Sequence, residues 1–207
     1  MQQNEWLPLF PLKTVLFPQG VLPLRVFETR YVDMVRECMK RDQPFGVVLI
    51  RSGLEVGAAA EPEEVGTLAH IRSWDVPQLG MMMLQTEGGA RFRILESRVL
   101  QDQRLEARVA MLPADAVQPP DALHVQCATA LKTVIDNIER QGRNEQGGDF
   151  ISPFSQPFRL DSAGWIANRW CELLPIPLKA RQKLLELDDA QSRLAVVHQF
   201  LQQHGIV

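Results

Sequence analysis

Leu7–Tyr31 reads LPLFPLKTVLFPQGVLPLRVFETRY, an apolar run cut by Pro8, Pro11, Pro18 and Pro23 that turns abruptly into a charged helical pattern. Each proline lacks an N–H and holds the residue before it extended, so the stretch is neither one long helix nor a central strand. The pattern predicts two short strands joined at Pro18-Gln19-Gly20, with glycine supplying the positive φ of the turn. Val15, Leu16 and Phe17 before the turn, and Val21, Leu22, Leu24 and Val26 after it, supply core. Glu28 or Thr29 then caps a helix. Along it Tyr31, Met34, Val35, Cys38 and Met39 recur at helical spacing, while Arg30, Asp33, Arg36, Glu37 and Lys40 face water.

Outward from this stretch the β pattern continues. Gln43-Pro44 ends the helix, and Phe45–Ile50 is a continuous apolar run expected to be covered on both faces. Gly53–Glu64, with its alanine triplet and EPEE segment, reads as a surface loop. Gly66–Arg72 and Gly80–Thr86 read as strands, with Trp74-Asp75-Val76-Pro77 in a loop between them. Gly88-Gly89 predicts a tight hairpin turn into Arg91–Ile94, whose alternation places Phe92 and Ile94 inward and both arginines outward. Leu105–Met111 alternates in the same way and closes a set of six or seven strands.

Pro113–Pro120 ends the β pattern, and everything beyond it reads as helix. Asp121 opens a helix to about Arg140 with Ala128, Leu131, Ile135 and Ile138 along one side. Gly142–Asp149 reads as a mobile loop, and Ser152–Pro157 extends it. Ser162 caps a helix carrying Trp165, Ile166, Trp170, Leu173 and Leu174. Pro175-Ile176-Pro177 forms a stiff hinge into Leu178–Leu187, and Asp188 with Gln191 forms a capping box for the last helix. The expected organisation is α+β: a β-rich domain over residues 1–112, a linker over 113–120 and a helical bundle over 121–207.

Composition limits what such a chain does. With 207 residues, 45% of them hydrophobic, it has the means to bury a core. The net charge of -3 is spread evenly, with 13 basic and 14 acidic side chains in residues 1–112 and 9 and 11 in the remainder. That balance argues against nucleic acid, whose binders need a basic excess. No apolar run approaches the roughly 18–20 residues that span a bilayer and no basic leader pattern opens the chain, so a cytoplasmic protein with no membrane segment is expected. Cys38, Cys127 and Cys171 lie far apart and form no C-x-x-C pair, which suits small buried apolar residues rather than disulfides, a zinc site or nucleophiles.

Chemical signatures are missing too. Nothing matches the phosphate-cradling G-x-x-x-x-G-K-[ST] pattern or a G-x-S-x-G elbow. The four histidines are scattered, and the closest pair, His198 and His204, is six apart and so on opposite sides of a helix. No metal and no cofactor is expected. The groups that stand out are apolar and lie near turns: Trp74, the triplet Met81, Met82 and Met83, and Phe150 and Phe154. Core or seam filling accounts for all of them; the functional alternative is a groove for unfolded or extended polypeptide, since methionines and aromatics adapt to varied side chains and a free sheet edge offers backbone pairing. Arg25, Arg30, Arg91 and Arg93 read as solvated or ion-paired surface, though a ridge for RNA would use the same residues.

L-P-L-F-P-L, T-V-L-F-P and L-P-L-R-V-F-E-T-R-Y resemble the opening of the N-terminal domain of Lon-type ATP-dependent proteases. Pro44–Ile50 (PFGVVLI), Val65–Ala69 (VGTLA), Gly88–Ile94 (GGARFRI) and Leu173–Glu186 (LLPIPLKARQKLLE) follow in that family's order. The resemblance implies a PUA-like curled β-sheet or pseudo-barrel with one helix, followed by a helical bundle. It also implies a non-catalytic polypeptide-binding or adaptor role, as the domain helps recognise substrates and supports hexamer assembly in Lon. No ATPase or Ser-Lys protease pattern follows, so a stand-alone protein without either activity is expected. Cereblon carries a related domain in a ubiquitin-ligase substrate receptor. Glu28, Arg30 and Tyr31 match the family's F-E-x-R-Y, and Arg91 and Phe92 its G-x-R-F, as scaffold residues. The alternatives are a PUA-like RNA-binding module and an enzyme of unrecognised type; the specific partner and oligomeric state are left open.

Overall fold

Prolines shape the first strand without excluding it from the middle of a sheet. The computed structural model describes residues 6–207, and in it β1 (Leu7–Leu12) lies between β3 (Phe45–Ser52) and β6 (Leu105–Met111). This corrects the expectation of an edge position. Residues Leu7–Leu9 of β1 pair with β6, whereas Leu9–Leu12 pair in parallel with β3. The two ladders share only Leu9, so Pro8 and Pro11 each fall where one neighbour is absent and the missing N–H costs little.

The other strands are β2 (Val21–Val26), β4 (Glu61–Gln78) and β5 (Met81–Val99), and the order is β2-β5-β4-β3-β1-β6 with a further β5–β6 pairing. The sheet therefore curls until β1, β3, β4, β5 and β6 close a ring. β2 stays outside it, on the first half of β5. Val15–Phe17 are buried but not a strand, and at the turn Gln19, not Gly20, holds φ +60° while Gly20 N–H donates to Phe17 O at 2.9 Å.

Two long strands replace the three short ones expected. β4 runs through Trp74 without a loop, and β5 runs through Gly88-Gly89 without a turn. The hairpin lies at Leu79-Gly80, where Gly80 has φ +82°. Gly88 answers a different need: a Cβ there would sit 2.1 Å from Phe17 O, so glycine lets the chain before β2 cross close to β5. Inside the ring Phe92 packs with Leu7, Leu9, Val48, Leu68, Leu105 and Ala107. Its ring tip lies 2.7 Å from where a Cβ of Gly46 or Gly66 would be, so these two glycines make its room.

Helix α1 (Thr29–Arg41) buries Tyr31, Met34, Val35 and Cys38, as its spacing predicts, and Val32 besides, while Met39 is half-buried. Against them pack Phe10, Leu24, Val26, Phe45, Val47, Met82 and Leu84, a second core on the other side of the curl. Glu28 caps through its backbone only; its carboxylate pairs with Arg30 at 2.9 Å.

The chain separates into two units, Met1–Ala114 with Leu178–Glu186, and Asp115–Pro177 with Leu187–Val207. The division differs from the expected domains: Leu178–Glu186, helix α4, belongs with the β unit, between α3 (Ala163–Leu173) and α5 (Ala190–Gln203) in sequence. Gln182 Nε2 donates to Val65 O at 2.9 Å, and Arg91 Nη1 to Leu185 O at 2.7 Å. Arg91, expected outward, is thus 3% exposed, because carbonyls of α4 and Pro113 take its donors.

In the second unit α2 (Val125–Gln146) follows a 3-10 turn and buries Cys127, Leu131 and Ile135. It runs on to Gln146, into the stretch expected to be a loop, and Gly147–Asp149 follow as a 3-10 turn. Trp165, Ile166, Trp170, Leu194, Val197 and Leu201 are buried with them. The segment expected to be a linker is tied in: Asp115 accepts from buried Arg193 at 2.7 Å, and Ala163 N–H donates to Gln118 O at 2.9 Å. The last helix is capped by Asp189, which accepts from Ser192 N–H at 2.7 Å, one residue beyond the expected capping box.

Candidate functional site

β4 outruns the strand beside it. Its pairing with β3 ends at Phe45↔Ala69, whereas its pairing with β5 continues past Trp74↔Leu84 to Gln78↔Met81. From Ile71 to Gln78, therefore, one edge of β4 has no strand partner among the described residues. Register shifts between Ile71 and Ser73 and between Asp75 and Gln78 bend this half, and bulges commonly re-aim side chains in this way.

Strand alternation sets which side chains face α1. Trp74 pairs with Leu84, which is buried against α1, so Trp74 and Val76 share that face with Met82. A groove of about 360 Å³ opens there between Arg36, Met39 and Lys40 of α1 and Trp74, Val76 and Met82 of the sheet. Trp74 is 53% exposed and Val76 43%, and Leu79 at the tip is fully exposed. On its other side Trp74 borders a more polar hollow of about 320 Å³ that includes Cys38, Asp42, Gln43, His70 and Arg72. One tryptophan forms the ridge between them.

Cys38 is buried, and its thiol is pushed up to about 11 by desolvation, with Glu37 adding to the shift. Such a thiol is almost wholly protonated near neutral pH and a poor nucleophile. Arg72 is engaged by Glu87 at 2.9 Å. Among the described residues no group of three or more histidines, cysteines or acidic side chains is placed to hold a metal, and no helix is long and apolar enough to cross a membrane.

The expected site residues do not converge. Trp74 and Met82 line the groove, Met82 as its buried floor. Met81 and Met83 alternate to the opposite face, where Met83 lies opposite Asp75 and Arg25. Phe150 and Phe154 belong to the other unit. The Phe150 ring occupies the space beside Gly142 of α2, and Phe154 is buried edge-on against Phe158. Ser152 Oγ donates to Glu139 of α2, so this stretch is fastened to the helix. Sequence reasoning missed Met39, Val76, Arg36 and Lys40. The signal available was the local alternation Trp74-Asp75-Val76, which a register shift between Ile71 and Ser73 sets out of phase with the strand before it.

The arginines weighed as an RNA ridge are dispersed in role: Arg91 is buried, Arg30 pairs with Glu28 and donates to Gln103 O, and Arg93 lies 3.6 Å from Glu64.

Comparison with known proteins adds to this geometry. The model of the family described as ATP-dependent protease La (LON) substrate-binding domain matches residues 6–203. A Lon N-terminal domain protein from Xanthomonas campestris, known from its crystal structure, is 33% identical with a TM-score of 0.73, over 93% of this chain and 96% of that one. The Lon protease of Syntrophus aciditrophicus is 27% identical over 201 residues, 92% of this chain but 24% of that protein. Protein cereblon of Xenopus tropicalis is 30% identical over 120 residues, 56% of this chain and 26% of cereblon. The chain thus spans about a quarter of the length of these curated relatives.

Proposed function

We propose, because the chain belongs to the LON substrate-binding domain family, that it binds extended or unfolded polypeptide in the groove along the unpaired half of β4. The match falls on the non-catalytic N-terminal domain and not on the ATPase or protease region. The observation that carries the reading is the position of Trp74. A half-exposed indole stands above an apolar floor, on a strand edge that has no strand partner among the described residues and where Val76 N–H donates to Asp75 Oδ1.

An added strand would pair with Ile71–Gln78 through its main chain, which gives affinity without sequence, and would set alternate side chains against Trp74, Val76 and Met82. Met39 and Met82 suit that task, because thioether side chains repack around different shapes. The three cysteines are free and buried, which supports placement in a reducing compartment, the cytoplasm.

The test is fluorescence anisotropy of a labelled, permanently unfolded polypeptide titrated with the full chain at low and high salt. Saturable binding that survives the higher salt, and that Trp74→Ala weakens at least about tenfold, is the expected result. Binding that Trp74→Ala leaves unchanged would refute this groove as the site.

A further inference from the structure

We infer that the groove selects extended segments in which an apolar side chain is accompanied by a carboxylate, and that Arg36 and Lys40 receive the acid. The inference deepens the proposed polypeptide binding and rests on it.

The lining of the groove has a sign. Four of its residues, Met39, Trp74, Val76 and Met82, are uncharged, two are cationic and none is anionic. Arg36 and Lys40 stand one turn apart on α1 and so present their heads on the same face. Their methylene stems extend the apolar wall while the charges stay at the mouth, as long basic side chains do.

Both charges are open to a ligand. Among the described residues Arg36 is held only by Asp33 at 3.7 Å, with both side chains more than half exposed. Lys40 has no ion pair among the described residues, although Glu37 and Asp33 lie on the same helix. Asp75, the acidic residue of β4 nearest the groove in sequence, lies opposite Met83 on the reverse face.

The neighbouring hollow is different. There Asp42 faces the opening and Arg72 is already matched by Glu87, so a carboxylate gains nothing on that side of Trp74. Charge complementarity therefore fixes the acid on the side towards the Leu79-Gly80 turn. In an added strand the side chain two positions from the one seated on Val76 and Met82 lies on the same face, within reach of α1.

Three fluorescein-labelled peptides of about ten residues, long enough to pair along Ile71–Gln78, test this. They share alternating leucine and serine and differ only at the position two residues from the central leucine, on its face, which carries glutamate, glutamine or lysine. With the full chain at low salt, the glutamate peptide is expected to bind about three- to tenfold more tightly than the glutamine peptide, and the lysine peptide most weakly. In the double variant Arg36→Gln, Lys40→Gln the ratio of glutamate to glutamine affinity should fall to about one, whatever the shortened stems do to both peptides alike. High salt should narrow the glutamate advantage in the parent protein.

Equal affinity for the glutamate and glutamine peptides, with binding still lost in Trp74→Ala, would overturn the acid preference and leave the groove standing. A glutamate advantage that persists in the double variant would overturn the assignment to Arg36 and Lys40. Absence of Trp74-dependent binding by any of the peptides would overturn the groove itself and this inference with it.

Discussion

The two halves of β4 and β5 are continuous in backbone but opposite in character. In the ring half, Val65–Thr67 and Arg91–Arg93 pair with each other while β3 and β6 cover their outer edges. Side chains there meet at close range, with Phe92 between Gly46 and Gly66. In the projecting half, Ile71–Gln78 keeps one edge free, and Trp74, Val76 and Leu79 face water. A closed sheet removes edges that invite pairing, whereas an open one keeps them. The same hairpin therefore closes the core at one end and leaves at the other the edge proposed above for recognition, and substitutions should sort accordingly.

The strongest way to break the ring half is Phe92→Ala. Removing a fully buried phenylalanine from between two glycines leaves a void that little can fill, at a cost of about 3–5 kcal/mol. Thermal denaturation should show a fall in Tm of about 6–20 °C, and a fall under 2 °C would contradict the packing described. Gly88→Ala comes next. Its methyl would meet the Phe17 carbonyl, a backbone atom that cannot rotate away, and about 1–3 kcal/mol should be lost in denaturant titration.

The same measurement on Trp74→Ala should show less than about 1 kcal/mol, because half of the indole is already in water, while polypeptide binding falls sharply. A large stability loss there would assign Trp74 to the core and erase the contrast between the halves. The last test concerns pH rather than substitution. Burial holds both Cys38 and Cys127 up to about 11, against about 9 when unfolded. Below about 9 both states keep these protons; above it only the unfolded chain releases them. Stability should therefore drop as pH rises from about 9 towards 11 and the drop should shrink in Cys38→Ala, as denaturant titrations at matched ionic strength would show.

What could be read beforehand follows the range of the forces involved. Helix α1 was legible because its buried face repeats locally and needs no partner to be recognised. The family motifs made the curled sheet legible as a resemblance. Strand lengths were not legible: Gly88-Gly89 looks like a turn because glycine permits one, yet here it admits the Phe17 carbonyl, a neighbour about seventy residues away that no local pattern announces. Arg91 misled for the same reason, since alternation put it outside and only α4 makes it inside. Of the groove, Trp74 and Met82 were found because aromatics and methionines stand out. Arg36 and Lys40 were passed over as solvated helix positions, their relevance resting on a strand that outlasts its neighbour.

The placement of α4 bears on biosynthesis. Because Leu178–Glu186 completes the unit begun by the β strands, the intervening Asp115–Pro177 is an excursion within it. A chain emerging from the ribosome finishes its sheet long before Arg91 and Val65 O can meet the helix that satisfies them. Until residue 186 is clear of the exit tunnel, Arg91 has its Pro113 acceptor but not the Leu185 carbonyl, Val65 O lacks the Gln182 donor, and nascent chains of that length are the ones a chaperone would find to hold.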